Sequence, residues 1–145
     1  MALVQKSVLI EYSAAQMYAL VEDVAAYPEF LPWCGGTEIL KKDGETTRAA
    51  IMIDFRGIKQ RFSTENRSEP GQSIEMTLID GPFRRLDGSW RFKPLGETAC
   101  KIEFRLQYEF SSKLLEKIVG PVFHYIASTF VEAFVRRVQE MHGKR

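Results

Sequence analysis

Within residues 112–141, Val119, Phe123, Ile126, Phe130, Phe134, Val138 and Met141 recur at spacings of three and four, the period of one stripe on an α-helix. Glu116, Lys117, Glu132, Arg136, Arg137 and Glu140 fall largely off the stripe, so one side of a long helix can be wet while the other needs a cover. The chain before it reads mostly as strands. A curved antiparallel sheet folded around the helix, with the aromatic stripe as its roof, satisfies both parts of the pattern.

Val4, Lys6, Val8, Ile10 and Tyr12 alternate with Gln5, Ser7, Leu9 and Glu11 in a first strand. Ser13 then reads as a helix N-cap with Gln16 three places on, as in a capping box, and Met17, Leu20, Val21 and Val24 give the short helix an apolar side. That helix is expected to end by residues 23–26. Residues 27–36 follow, Tyr-Pro-Glu-Phe-Leu-Pro-Trp-Cys-Gly-Gly. Two prolines four apart exclude a long regular element there and leave a turn or a single helical turn. A connection so apolar is expected to pack against a partner or close a cavity.

Residues 37–42, 47–55, 58–66, 73–79, 86–92 and 100–110 read as six further strands. Turn signals at Asp43-Gly44, Arg56-Gly57, Pro70-Gly71, Asp80-Gly81-Pro82 and Pro94-Leu95-Gly96 separate them. The last strand has the cleanest pattern: Cys100, Ile102, Phe104, Leu106, Tyr108 and Phe110 alternate with Lys101, Glu103, Arg105, Gln107 and Glu109, one face dry and the other wet. Hairpin-length connections make sequential neighbours antiparallel. The expected class is therefore α+β: a curved seven-stranded antiparallel sheet around a long C-terminal helix, with one or two short helices after the first strand. Such a sheet often fails to fill its interior, which makes a ligand cavity a natural consequence.

The remaining composition narrows function mainly by exclusion. At 145 residues, with no linker-like stretch, the chain is expected to form one domain. Cys34 and Cys100 lack metal-knuckle spacing and are expected to be buried free thiols. The first ten residues carry no signal-peptide pattern, and the most apolar run, 118–131, is broken by Pro121 and His124 and is shorter than the roughly 20 residues a bilayer requires. A cytoplasmic protein is expected.

Residues 1–47 carry three basic and seven acidic groups, residues 46–68 five and two, and residues 111–145 six and three. That is a polarised surface and not the footprint of a DNA-binding protein. Two histidines, His124 and His142, are too few for an imidazole metal site, with His124 expected at an ordinary partly exposed helix position rather than as a polar group in an apolar pocket, and His142 in a fraying tail. No phosphate-binding loop, dinucleotide fingerprint or nucleophile elbow occurs, so no catalytic residue, metal or cofactor is assigned. Asp54 shares a face with Met52, but its neighbour Arg56 makes an exposed ion pair the expected arrangement.

Several segments together carry a family pattern: Val21-Glu22-Asp23-Val24, the run from Tyr27 through Cys34, Gly81-Pro82-Phe83 with Leu86, Gly88 and Trp90, Cys100-Lys101, and Ala133-Phe134 with Arg136-Arg137. In these the chain resembles the START-type helix-grip superfamily of lipid-transfer, polyketide-cyclase and plant-allergen domains. Within it the chain is similar to the bacterial branch that contains coenzyme-Q-binding proteins of respiration and ribosome association toxins. The resemblance implies a non-enzymatic protein that holds an isoprenoid quinone such as ubiquinone, or another lipid, between the sheet and the last helix, in support of respiratory electron transfer as a carrier or chaperone. Transient contact with a membrane surface would accompany such a role.

The candidate lining residues are Tyr27, Phe30, Trp33, Met52, Phe62, Met76, Trp90, Phe104, Phe123, Phe130 and Phe134, with residues 27–33 expected at the cavity entrance. The toxin name implies a different activity, binding the large ribosomal subunit and hindering its association with the small one. Arg48, Arg56, Lys59, Arg61 and Arg67 are the candidate surface for that. A third implied activity, polyketide aromatase or cyclase chemistry, would need placed polar groups inside, where the alternation puts apolar ones.

Overall fold

The computed structural model describes residues 2–143. In chain order it has β1 (Ala2–Ile10), α1 (Ala14–Glu22), a 3-10 helix (Val24–Glu29), β2 (Cys34–Asp43), β3 (Thr46–Phe55), β4 (Ile58–Glu69), β5 (Ser73–Asp80), β6 (Phe83–Pro94), β7 (Cys100–Phe110) and α2 (Lys113–His142). The seven strands form one antiparallel sheet in the order β1-β7-β6-β5-β4-β3-β2. The α+β class and the seven-stranded sheet with its long C-terminal helix match the sequence expectation.

Sheet order explains the apolar connection. Strands β1 and β2 follow each other in sequence but lie at opposite edges, so the chain between them must cross the mouth of the sheet. It crosses as α1 and the 3-10 helix. Ser13 opens α1 with the expected capping box: its Oγ accepts from the Gln16 N–H at 3.1 Å, and Gln16 Oε1 accepts from the Ser13 N–H at 2.9 Å. Pro28 sits within the 3-10 helix, after which Leu31 N–H donates to the Tyr27 carbonyl and Cys34 N–H to the Leu31 carbonyl. Met17, Leu20, Val21, Val24, Tyr27, Leu31 and Trp33 are all buried along this crossing.

Helix α2 covers the same concave side. Ser112 caps it, accepting from the Leu115 N–H at 3.1 Å. Val119, Phe123, Ile126, Phe134 and Val138 are buried and Phe130 is half-buried. Met141 departs from the expected stripe: it is 55% exposed, because Val138 is the last residue to reach the core. His142 ends α2, where its ring lies 6.3 Å from the Tyr12 ring and the Tyr12 hydroxyl donates to the Gly143 carbonyl.

By length and composition the whole of α2, Lys113–His142, is long and apolar enough to cross a bilayer, although its most apolar run, 118–131, is itself short. In this fold its apolarity serves the core instead. Strands β2 to β6 all extend past their predicted limits. The Asp54 N–H bonds to the Trp33 carbonyl, and the Ser111 N–H to the Pro82 carbonyl, drawing flanking residues into the sheet.

Candidate functional site

Between the sheet and the helix lies an apolar cavity of about 60 Å³. Strands β3 to β7 supply Ala49, Ile51, Phe62, Thr64, Asn66, Met76, Leu86, Phe104 and Leu106, helix α2 supplies Phe123, Ile126, Ala127 and Phe130, and the crossing segment supplies Val24, Tyr27 and Trp33. Seven of the eleven predicted lining residues therefore meet here: Tyr27, Trp33, Phe62, Met76, Phe104, Phe123 and Phe130.

The other four lie elsewhere. Met52 is on the opposite face of β3, where a Cβ on Gly36 would come 3.3 Å from Met52 Cε. Both faces of that strand are apolar, and Ile51 and Ile53 take the inner one. Phe30 is half-buried outside the cavity, its ring 5.2 Å from Phe134 and the Arg137 guanidinium 5.2 Å from its centroid. Phe134 is fully buried behind the wall, against Tyr27 and Trp90 at 5.3 Å each. Trp90 borders a separate hollow of about 20 Å³ beside the main cavity.

Thr64 and Asn66 were missed by the sequence reading. Their signal was the alternation of β4, which places residues 62, 64 and 66 on one face, so choosing Phe62 implied the other two. The Thr64 hydroxyl donates to Asn66 Oδ1 at 2.9 Å. Tyr27 is the one ionisable side chain on the described wall. Burial pushes its phenol far above the ordinary tyrosine value, with the charges of Asp23, Cys34 and Glu22 adding to the effect, and its hydroxyl donates to the Val21 carbonyl at 2.5 Å. The phenol stays protonated and fully occupied, which suits a wall and not an acid or base.

Both cysteines are buried and free, as expected, and burial raises both thiols. The His124 side chain is exposed, with its Nδ1 3.4 Å from the Tyr108 hydroxyl. Among the described residues no group of three or more His, Cys, Asp or Glu could hold a metal ion.

The basic hairpin β3–β4 carries less free charge than its sequence implies. Arg48 and Arg67 both pair with Glu65, at 3.1 and 3.5 Å, and Arg61 pairs with Glu38 at 3.3 Å. Lys59 stands opposite Asp54 in the strand register. Arg56 does not pair with Asp54, which corrects that expectation. Its backbone takes a positive φ of 51° in the turn, and its guanidinium lies 4.8 and 5.0 Å from the ring centroids of Phe55 and Tyr125, themselves stacked at 5.7 Å. The hairpin tip is thereby fastened to α2.

A curved antiparallel sheet closed by a crossing segment and a C-terminal helix over an apolar interior defines a helix-grip protein. Residues 10–135 match the family described as polyketide cyclase / dehydrase and lipid transport, and the chain belongs to that family. It is 46% identical over 141 residues to the ribosome association toxin RatA of Vibrio cholerae, covering 97% of this chain and 98% of that one. It is 28% identical to a mitochondrial coenzyme Q-binding protein, COQ10 homolog B of Xenopus laevis, over 97% of this chain and 59% of that one. The solution structure of an 18 kDa protein from Caulobacter crescentus superposes with a TM-score of 0.76 at 32% identity, covering 99% of this chain and all of that one.

Proposed function

We propose that this protein acts by binding and not by catalysis, and that its interior holds a neutral hydrophobic molecule, with an isoprenoid quinone the leading candidate. The observation that carries this is the cavity wall, which is apolar except for Thr64, Asn66 and a Tyr27 phenol that is already hydrogen-bonded. No residue on it is poised to exchange a proton at neutral pH, so cyclase chemistry lacks its acid and base. The naming of the Xenopus relative supports the quinone.

At about 60 Å³ the cavity is well below the roughly 300–1,000 Å³ of an ordinary ligand site, so a quinone ring enters only as lining side chains or α2 give way. Native mass spectrometry of protein purified from cells, followed by organic extraction, tests the proposal. A bound lipid or quinone is expected; repeated preparations that carry none and cannot be loaded would end it.

A second reading is favoured by the near full-length kinship with the Vibrio toxin: association with the ribosome, at the large subunit. It uses the outer surface and the first uses the interior, so one molecule can do both. Exposed ion pairs of the kind that hold Arg48, Arg61 and Arg67 are worth at most about 1 kcal/mol, so phosphates can displace their carboxylates. Sedimentation through sucrose gradients should show the protein with large subunits at low salt and free at high salt. Absence from that fraction at low salt, with no loss of joined ribosomes on overexpression, removes this reading.

A further inference from the structure

Trp90 lies on β6 opposite Phe104, 1% exposed, with its ring packed against Phe92, Phe104, Phe130 and Phe134. Its indole N–H is buried and has no hydrogen-bond partner among the described residues. Buried donors of this kind are rare and nearly always find an acceptor in protein, water or ligand. Trp90 borders the 20 Å³ hollow, and three residues of that hollow, Tyr27, Asn66 and Met76, also line the main cavity. The two spaces are thus neighbours that share a wall of three side chains. Asn66 uses its Oδ1 to accept from Thr64, and its amide N–H groups have no partner among the described residues.

We infer that the Trp90 indole N–H and the Asn66 amide form a hydrogen-bonding pole for a neutral carbonyl oxygen at one end of the hydrophobic ligand. This rests on the reading of the main cavity as a ligand site and adds the chemical class of what it takes. Both groups can donate. Neither space has a Lys or Arg on its described wall, and the one charged side chain, Glu22 beside the hollow, is paired with Lys42 at 3.2 Å. A carboxylate or phosphate head would therefore meet no cation and one carboxylate, whereas a ketone or quinone oxygen would supply the missing acceptor without bringing a charge into the core. A hydrocarbon would leave the indole N–H as it is. The hollow is also large enough for one water, which makes a resident water the competing occupant.

Three probes of equal chain length separate these cases: 2-heptanone, n-heptane and heptanoate, titrated into the 15N-labelled full chain while the tryptophan indole resonances are followed. Trp33→Phe assigns the pair. The ketone should bind about two- to tenfold more tightly than the alkane, the gain of one net hydrogen bond, with heptanoate weakest. The Trp90 N–H resonance should move downfield with the ketone alone, and Asn66→Leu should reduce the ratio of ketone to alkane affinity. Equal binding of ketone and alkane with an unmoved indole resonance overturns the pole and assigns the hollow to water. Tightest binding of heptanoate overturns it as well. If none of the three binds, the cavity reading beneath it fails too, so the two failures are distinguishable.

Discussion

Tyr27 is one of three residues, with Asn66 and Met76, that border both internal spaces. Its ring lies 5.3 Å from Phe134 and 6.3 Å from Phe130, and its hydroxyl is tied to the Val21 carbonyl. Because the folded phenol holds its proton at a pH where an unfolded tyrosine loses it, its contribution to stability is fully present below about pH 10 and declines as pH rises further. Tyr27→Phe should cost about 1 kcal/mol at neutral pH through the lost hydrogen bond, and urea unfolding across pH 8 to 12 should show a shallower alkaline decline than in the parent protein. Burial raises Tyr108 in the same direction, so the decline should not vanish. Identical slopes for the two proteins would contradict the assignment.

Gly81 is a second residue whose identity is set by space. It has a φ of 147°, and a Cβ there would stand 2.6 Å from the Cβ of Phe62, a cavity residue. Gly81→Ala should therefore destabilise by about 2 kcal/mol or more, read as a lower urea midpoint with an unchanged slope.

At the scale of elements, the crossing segment is held to α2 by specific contacts. Arg137 pairs with Glu29 at 3.1 Å and lies over Phe30, which packs edge-on against Phe134. Phe134→Ala, at a fully buried position, should cost about 3 to 5 kcal/mol. Phe30→Ala, at a half-buried position outside the cavity, should cost about 1 to 2 kcal/mol. If the segment gates the interior, Phe30→Ala should also speed ligand release. Equal losses of stability, with release unchanged, would return residues 27–33 to the ordinary core.

The capping box at Ser13, the alternation of β7 and the α2 stripe were legible in the sequence because each is set by neighbours within a few positions. Which face of β3 looks inward was not, since Ala50 and Met52 are as apolar as Ala49 and Ile51 and only the sheet's pairing decides. The cavity wall was read in part for a related reason. Trp90 and Phe134 belong to the same aromatic cluster as Phe130, and their separation from the main space depends on sheet curvature, which has no period along the chain.

For the molecule as a whole, the two proposed activities occupy different surfaces and should be separable. Charge reversal at Arg56, Lys59 and Arg61 should weaken ribosome association and its salt dependence while leaving ligand loading intact. Filling the interior should do the reverse. Ala127 is 2% exposed, sits on α2 and lines the cavity, so Ala127→Leu would place a side chain in the space the ligand needs. The measurement that bears most directly on the central claim is the titration of ubiquinone-1 into the parent protein and Ala127→Leu, with thermal unfolding of both. Saturable binding by the parent, lost in a variant that still unfolds cooperatively, is the predicted result. Equal binding by the two folded proteins would place the ligand outside the cavity and contradict the account.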